Sequence, residues 1–527
     1  MDNKKAGTVA KATLVIAVIT VLSKILGFAR EAVIAQQFGA NSVTDAFLVV
    51  FNIPYMFNGI LSSALVVVVV PIFLEYMARG QVPEARKIFT TVFVVAVFIM
   101  GIIVLMGITY SEYVIRLFAP GFNESTLELA SVLAILIFPA ILFFAITNFL
   151  MGVLNASNIF APPAMAPVIL NIAVIGAVFT LGRNYGIYGA ALGMLVGTAM
   201  GALFQIIFIK KTSFRFIGLI SIRDESVKKV FRLMLPVLIG SGVGQLNVLI
   251  YYFFGSGLNE GSISALNYAT KLILLPQGIF VMAVGTAIFP SLSRSVAFKE
   301  MGRFTGTLAR GAKMVFLFTA PAVMGLMILR HPIVELLFKR GAFDERAVYL
   351  TTGALLLLSV GLIGQCLGPV ITRGFYALQD TVTPVKVAVV TVAINLGLSV
   401  LLVKSGQHLG LALANSIAST VNALLLVAIL GRRVKGIINK DLLIFASKVV
   451  AASLIMGLAV SGMDAILVKT LTGSKILLAL RVGIDISIGL IVYLLTGFIT
   501  RIDEFSYLLD ITKVIANKGK VALRAGT

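Results

Sequence analysis

The chain is short of the residues on which soluble catalysis depends: 527 residues hold no tryptophan, one cysteine, two histidines and 22 acids. The lone cysteine, Cys366, has no partner for an intrachain disulfide and no CxxC pattern, so it reads as inert packing in an apolar run. Neither His331 nor His408 lies in an HExxH motif or near a second ligand, and no Walker or GxSxG pattern occurs. Catalytic residues, metal ligands and cofactors are therefore all expected to be none, and the pattern argues against an ATPase, a hydrolase or any other enzyme. Charge is scarce as well. Charged residues make up 12% and hydrophobic ones 59%, against about 25% charged in soluble domains, so lipid is the solvent for most of the chain.

What is present is a series of long apolar runs. A spanning helix needs about 20 mostly apolar residues, which predicts fourteen, with cores at 12 to 29, 46 to 73, 88 to 110, 129 to 154, 163 to 181, 187 to 209, 233 to 254, 264 to 290, 313 to 329, 349 to 372, 386 to 403, 409 to 430, 443 to 460 and 476 to 499. Runs of this length exclude a porin-type barrel, whose strands alternate polarity over about 10 residues. Lys4, Lys5 and Lys11 ahead of the first run resemble a secretory signal. No small-x-small cleavage site leads into a soluble chain, so the run is kept as the first membrane helix.

The net charge of +21 does not indicate nucleic acid, because the cations lie in loops rather than among aromatics on one face. Lys and Arg gather on the cytoplasmic side of membrane proteins. With the N-terminus inside, 30 of the 43 cations fall on inner loops and tails, 11 fall outside, and Lys24 and Lys271 remain within the runs. Both termini are thus expected in the cytoplasm.

The two halves repeat. Asp45 and Pro71 are echoed 219 residues later by Ser264 and Pro290, Leu117-Phe118 with Gly121 by Leu337-Phe338 with Gly341, and Gly152 with Pro162 by Gly374 with Pro384. Six helices per copy return the chain to the same side, so the copies are parallel, like paired transporter lobes. This predicts an all-α polytopic membrane protein: an N-lobe over 1 to 211, a cytoplasmic linker over 212 to 232, a C-lobe over 233 to 433, two extra helices over 434 to 500 and a basic tail over 501 to 527, in which Lys513, Lys518, Lys520 and Arg524 either meet anionic headgroups or are merely solvated.

A cation near the bilayer centre costs about 2.5 to 3.5 kcal/mol on insertion scales, so it faces a cavity or a partner. Lys24 and Lys271 are the two strongest cases. Lys24 shares a stripe with Gly27 and Glu31, near Ser23 and Arg30; Lys271 shares one with Ser264, Asn267 and Gly278. Asp45, Asn52, Tyr55 and Gly59 form a third stripe and Ser241, Gln245 and Tyr252 a fourth, with Asn52 falling on Lys271 under the repeat. The alternatives are an ion pair of Lys24 with Glu31 or Asp45, plain helix-helix hydrogen bonds for Asn267, Gln245 and Tyr252, and an Arg30 that snorkels to the interface. Cations in a partly desolvated cavity suit an anionic cargo such as a phosphate or diphosphate.

Ser23-Lys24-Ile25-Leu26-Gly27-Phe28-Ala29-Arg30-Glu31, Phe38-Gly39-Ala40 and Thr44-Asp45-Ala46-Phe47 with Pro54 resemble the opening of the MurJ (MviN) family of lipid II flippases. Ala119-Pro120-Gly121-Phe122, Gly285-Thr286, Phe289-Pro290-Ser291-Leu292-Ser293, Gly374-Phe375-Tyr376 and Thr383-Pro384-Val385-Lys386 extend the resemblance along the chain. It implies the multidrug/oligosaccharidyl-lipid/polysaccharide (MOP) exporter fold: two parallel six-helix lobes plus two C-terminal helices that form a groove for a lipid tail. The implied function is transport of undecaprenyl-diphosphate-linked peptidoglycan precursor from the inner to the outer leaflet of the bacterial cytoplasmic membrane, by alternating access. Lipid II and membrane lipids are the partners so implied, with the cell-wall synthesis machinery left open. Carried over, the substrate cavity comprises Ser23, Lys24, Gly27, Arg30, Asp45, Ser264 and Lys271, to which the repeat adds Asn52; Lys24, Arg30 and Lys271 fall to the diphosphate.

Departures from the family matter. Lys24 and Lys271 stand where Arg is frequent, and Asn52 and Asn58 where proteobacterial members carry cations, so the cavity is expected to be less positive. The seventh and eleventh helices hold Asn247 and Asn395 instead of the acids with which some members bind sodium, so no sodium site is expected and a potential-driven reset is. Rival readings are a flippase for another polyprenyl-diphosphate oligosaccharide, a gradient-driven drug exporter, which intramembrane acids would favour, and a non-transporting scaffold.

Overall fold

The computed structural model describes residues 2–505 apart from 213, 215–219, 222, 435, 438–439 and 472, and leaves out the side chains of 2–14, 279 and 283. The Lys4 to Lys11 side chains, part of the 212 to 232 linker and the tail cations from Lys513 onward thus lie outside the described residues. Every regular element described is helical: α1 (Asp2–Phe38), α2 (Ser42–Ala64), a π-helical turn (Leu65–Val69), α3 (Val70–Ala78), α4 (Val82–Thr109), α5 (Ser111–Phe118), α6 (Glu124–Ile137), α7 (Pro139–Ala156), α8 (Ala161–Thr180), α9 (Gly182–Tyr185), α10 (Ile187–Ile209), α11 (Glu225–Gly255), α12 (Ser262–Ala297), α13 (Met301–Ile328), α14 (Arg330–Phe338), α15 (Glu345–Ala377), α16 (Val382–Arg433), α17 (Lys440–Thr470) and α18 (Lys475–Ile499).

Among the described residues, twelve segments are long and apolar enough to cross a membrane. The sequence predicts fourteen runs. The first of them lies in α1, outside the twelve, and the runs at 386 to 403 and 409 to 430 share the single segment Val382–Arg433, bent at Gln407. Prolines account for two further irregularities. Pro71 lacks an N–H and crowds the carbonyl four residues back, and the π-turn ends two residues before it, at Val69. Pro139 starts α7, so the run at 129 to 154 is two helices placed end to end.

The duplication reaches the backbone. Positive φ recurs in register at Gly80 (75°) and Lys299 (58°), Asn158 (58°) and Gln379 (60°), and Gly186 (56°) and Gln407 (48°). Three residues after the last pair, a Cβ on Gly189 would lie 2.8 Å from the Gly182 nitrogen and one on Gly410 would lie 2.2 Å from the Leu402 oxygen, so neither site admits a side chain. Gln407 pairs φ 48° with ψ −133°, and its counterpart Gly186 pairs 56° with −138°. That region is open to glycine and strained for glutamine. Gln407→Gly is therefore expected to raise stability by about 1 kcal/mol, read as a higher thermal midpoint in detergent; an unchanged midpoint would mean that the bend stores no strain.

The helices form two compact units: Met1–Asn267 with Phe338–Ala347, and Tyr268–Leu337 with Val348–Thr527. In the first, Gly193 and Gly197 of α10 bring its backbone against Ala177 and Ala173 of α8, the small-residue contact that membrane helices use. Phe73, Phe89, Phe149 and Phe214 pack largely edge to face at centroid distances of 5.2 to 5.8 Å, which fastens part of the linker to this unit. Asp224 accepts from the Ser226 amide at the start of α11 and from Lys87 Nζ at 2.8 Å. That ammonium holds the Asp224 carboxyl below the usual carboxylate range.

The second unit has one core around Phe304, Phe375 and Leu430 and another around Phe445, Met456 and Tyr493. At the start of α16, Asp380 accepts from the Thr383 hydroxyl and amide and from Arg433 at the far end of the same helix. Thr383 first and Arg433 after it pull the Asp380 carboxyl down to about 2.

Candidate functional site

The polar residues of α1 sort into two environments. Arg30 and Glu31 are buried in the first unit, 6% and 2% exposed, whereas the Lys24 side chain, almost two turns earlier, is exposed. Arg30 Nη2 lies 2.6 Å from Glu31 Oε1. Its Nη1 donates at 3.1 Å to both Tyr55 Oη on α2 and Asn171 Oδ1 on α8, and the guanidinium stacks 4.7 Å from the Phe51 ring. Asn171 Nδ2 in turn donates to the Ser23 carbonyl at 3.1 Å, and a Cβ on Gly27 would sit 3.5 Å from it. Glu31 Oε2 accepts from Asn267 Nδ2 at 3.2 Å. The two terminal nitrogens of Arg30 are thus engaged by the protein while its buried Nε meets no acceptor, and its charge is matched by Glu31. Arg30 is therefore held inside the protein, and Glu31, one of the two acids offered as a partner for Lys24, is bonded to Arg30.

Asp45 is committed too. Its Oδ2 accepts from the Gly261 amide at 2.7 Å, and its Oδ1 from the Ser264 amide at 2.7 Å and hydroxyl at 2.6 Å. A carboxylate on the first amides of α12 acts as a helix cap supplied by another helix. Around it the turns meet backbone to backbone: Gly261 (φ 85°) packs so that a Cβ would meet the Ala40 oxygen at 2.4 Å, and Gly39 (φ 74°) and Gly341 (φ 56°) would meet the Ala342 and Gln36 oxygens at 2.4 and 2.3 Å. Ser264, the repeat counterpart of Asp45, is therefore its hydrogen-bond partner.

The remaining predicted stripes also meet. Gln245 of α11 lies against Gly59 of α2, and the Tyr252 hydroxyl faces Asn52, which is half-buried and donates to the Leu48 carbonyl at 2.8 Å. Lys271 belongs to the second unit and is half-buried on α12. Of the predicted site residues, Ser23, Gly27 and Arg30 are drawn together through Asn171, which the sequence reading missed. Its signal was a lone amide in the apolar run at 163 to 181.

The second unit holds an apolar cavity of about 690 Å³, within the range of about 300 to 1,000 Å³ typical of small-molecule sites. Leu275, Phe280, Phe318, Leu336, Met456 and Ile486 are among its walls, so α12, α13, α14, α17 and α18 all contribute. The one acid in that wall, Asp485, was also passed over in the sequence.

Known proteins can now be set beside this geometry. A relative described as a probable lipid II flippase MurJ, from Haemophilus influenzae, is 32% identical over 460 residues, covering 84% of this chain and 90% of its own. The lipid II flippase MurJ of Burkholderia cenocepacia is 32% identical over 464 residues, covering 85% and 89%. A solved lipid II flippase MurJ in an inward closed conformation superimposes with a TM-score of 0.79 at 26% identity, over 93% of this chain and 99% of that one. An inward-facing multidrug resistance MATE transporter of the MOP superfamily shares the fold at a TM-score of 0.69 and 16% identity, over 80% of this chain and 98% of its own. The family model described as lipid II flippase MurJ matches residues 34–480, from the last turns of α1 into α18. With a match of that extent, the chain belongs to the lipid II flippase MurJ family.

Proposed function

We propose that the chain moves lipid II, the undecaprenyl-diphosphate-linked peptidoglycan precursor, from the inner to the outer leaflet of the bacterial cytoplasmic membrane by alternating access, as a transporter and not an enzyme. The fold proposed for this task has fourteen crossings: the twelve segments, α1, and the second half of α16 beyond Gln407. They make two parallel six-helix lobes, with α17 and α18 added. The backbone irregularities that recur in register support the lobes. Both termini are placed in the cytoplasm on the charge bias.

The observation that carries the reading is the apolar cavity walled partly by α17 and α18, in a chain of this family. Its lining suits a polyprenyl tail, which gains about 0.8 kcal/mol per methylene removed from water. Lys24 and Lys271 are assigned to the diphosphate on their positions within apolar runs, where a cation is costly unless it faces a cavity or a partner. Ser23, Gly27, Arg30, Asp45, Asn52 and Ser264 position the surrounding wall.

Reconstitution with labelled lipid II and a second polyprenyl-linked sugar, with and without an imposed potential, tests this. Lipid II is expected to move, faster with the potential, and the second sugar to stay. Lys24→Ala and Lys271→Ala are each expected to slow transport at least tenfold at equal abundance, roughly the 1.4 kcal/mol or more of one lost charge contact. Wild-type rates in both would remove the lysines from the site and favour a scaffold.

A further inference from the structure

Asp485 of α18 is fully buried and neither of its oxygens meets a donor. The polar group facing it is the Asp464 carboxylate of α17, itself an acceptor. Arg481, one turn earlier on α18, lies between the acids in charge but not in geometry: its Nε and Nη2 both reach Asp464 Oδ1 at 2.7 Å and leave Asp485 unmatched. An ionised carboxylate with no donor, beside a second carboxylate, is the arrangement that a single shared proton resolves, since a protonated Asp485 is neutral and can donate to Asp464 beside the Arg481 bonds. A metal ion fits poorly, because a guanidinium already occupies the cluster and no group of three potential ligands exists among the described residues. Asp485 also forms part of the wall of the apolar cavity, next to Ile486 and Gly489. The other elements in that wall bring apolar side chains to it; their titratable residues nearest along the chain, Lys271, Arg330, His331, Glu335 and Glu504, are not in the lining. His331 faces Glu335 and Glu504 faces Lys313, while the Tyr493 hydroxyl of α18, whose residue is in the lining, donates to the Leu317 carbonyl.

We propose that Asp485 and Asp464 form a proton-binding site in the wall of this cavity, and that a proton held there and an apolar chain lying in the cavity stabilise each other. The inference rests on the reading of the cavity as a lipid-tail site. An apolar occupant excludes water from the wall, which penalises a bare carboxylate and leaves a neutral one almost unaffected. The coupling is reciprocal: chain binding takes up a proton from solution, and lower pH tightens chain binding.

The test is equilibrium binding of undecaprenol bearing a neutral fluorophore to the full-length protein in nanodiscs, from pH 5 to 9, so that nothing on the probe titrates. Affinity is expected to rise as pH falls, by up to tenfold per unit where the pair titrates, with close to one proton taken up per chain in weakly buffered solution. Asp485→Asn is expected to bind at the wild type's low-pH affinity at every pH. The proton uptake is measured on the wild type and so does not depend on that variant folding. Saturable binding with no pH dependence and no uptake overturns the proton site while leaving the tail site standing. A pH slope replaced by a sodium dependence at constant ionic strength overturns it in favour of a metal ion. Gly325→Phe, at a lining glycine whose Cβ would meet open space, is expected to abolish binding by filling the cavity; full binding in that variant places the chain elsewhere and overturns both readings.

Discussion

Glu31→Ala is expected to destabilise the protein by about 3 to 5 kcal/mol, the penalty of leaving one member of a buried ion pair without its counter-charge. Glu31 is 2% exposed and Arg30 is 6% exposed, and among the described residues no other acid is bonded to this guanidinium. Its remaining partners, Tyr55 and Asn171, are neutral and cannot compensate the charge. Replacing the pair together, as Arg30→Met with Glu31→Leu, is expected to recover most of the loss, because the desolvation of two charges disappears with their attraction. Denaturant unfolding of the three proteins in one detergent measures both effects. A Glu31→Ala variant within 1 kcal/mol of wild type, on the same scale, would mean that water reaches Arg30 and that the network is not sealed.

That network also marks where the sequence stops being readable. The apolar runs and the internal repeat follow from composition and periodicity, which are local or strictly periodic signals. The predicted first apolar core stops at 29, before Arg30 and Glu31, whereas α1 runs on to Phe38 with the two charges neutralising each other inside it. Which acid pairs with which cation depends on Asn171 and Asn267, 141 residues from Arg30 and 236 from Glu31, and no spacing rule reaches that far. Asp45 and Ser264 are a different case. The repeat identifies them as equivalent, but equivalence does not say that they touch; the hydrogen bonds at 2.6 and 2.7 Å do. Asp485 escaped because one acid in an apolar run, four residues after an arginine, reads as an ordinary helical ion pair, whereas Arg481 turns to Asp464 on the next helix instead.

Asp45→Ala removes a carboxylate that accepts three short hydrogen bonds at a site 4% exposed, and leaves the Gly261 and Ser264 amides without an acceptor. Hydrogen bonds to a charged group contribute about 1.5 to 3 kcal/mol each and do not add fully, so about 3 kcal/mol is expected to be lost from the state in which these turns are joined. At 1.4 kcal/mol per decade, that makes hydrogen exchange at the two amides about a hundredfold faster. Asp45→Asn keeps one acceptor oxygen for Ser264 but presents an NH₂ to Gly261, so it is expected to fall between. On the proposed topology these turns lie at the outer face, which the proposed alternating access must open. The same loss should therefore enrich the outward-open form about a hundredfold. Ala40→Cys, introduced beside Gly261, reports that shift as faster labelling from outside, against the low background of a single native cysteine, Cys366, that is buried. Unchanged exchange and unchanged labelling in Asp45→Ala would assign the closure to the glycine contacts at Gly39, Gly261 and Gly341 alone, and would leave Asp45 a cap on α12 with no part in gating.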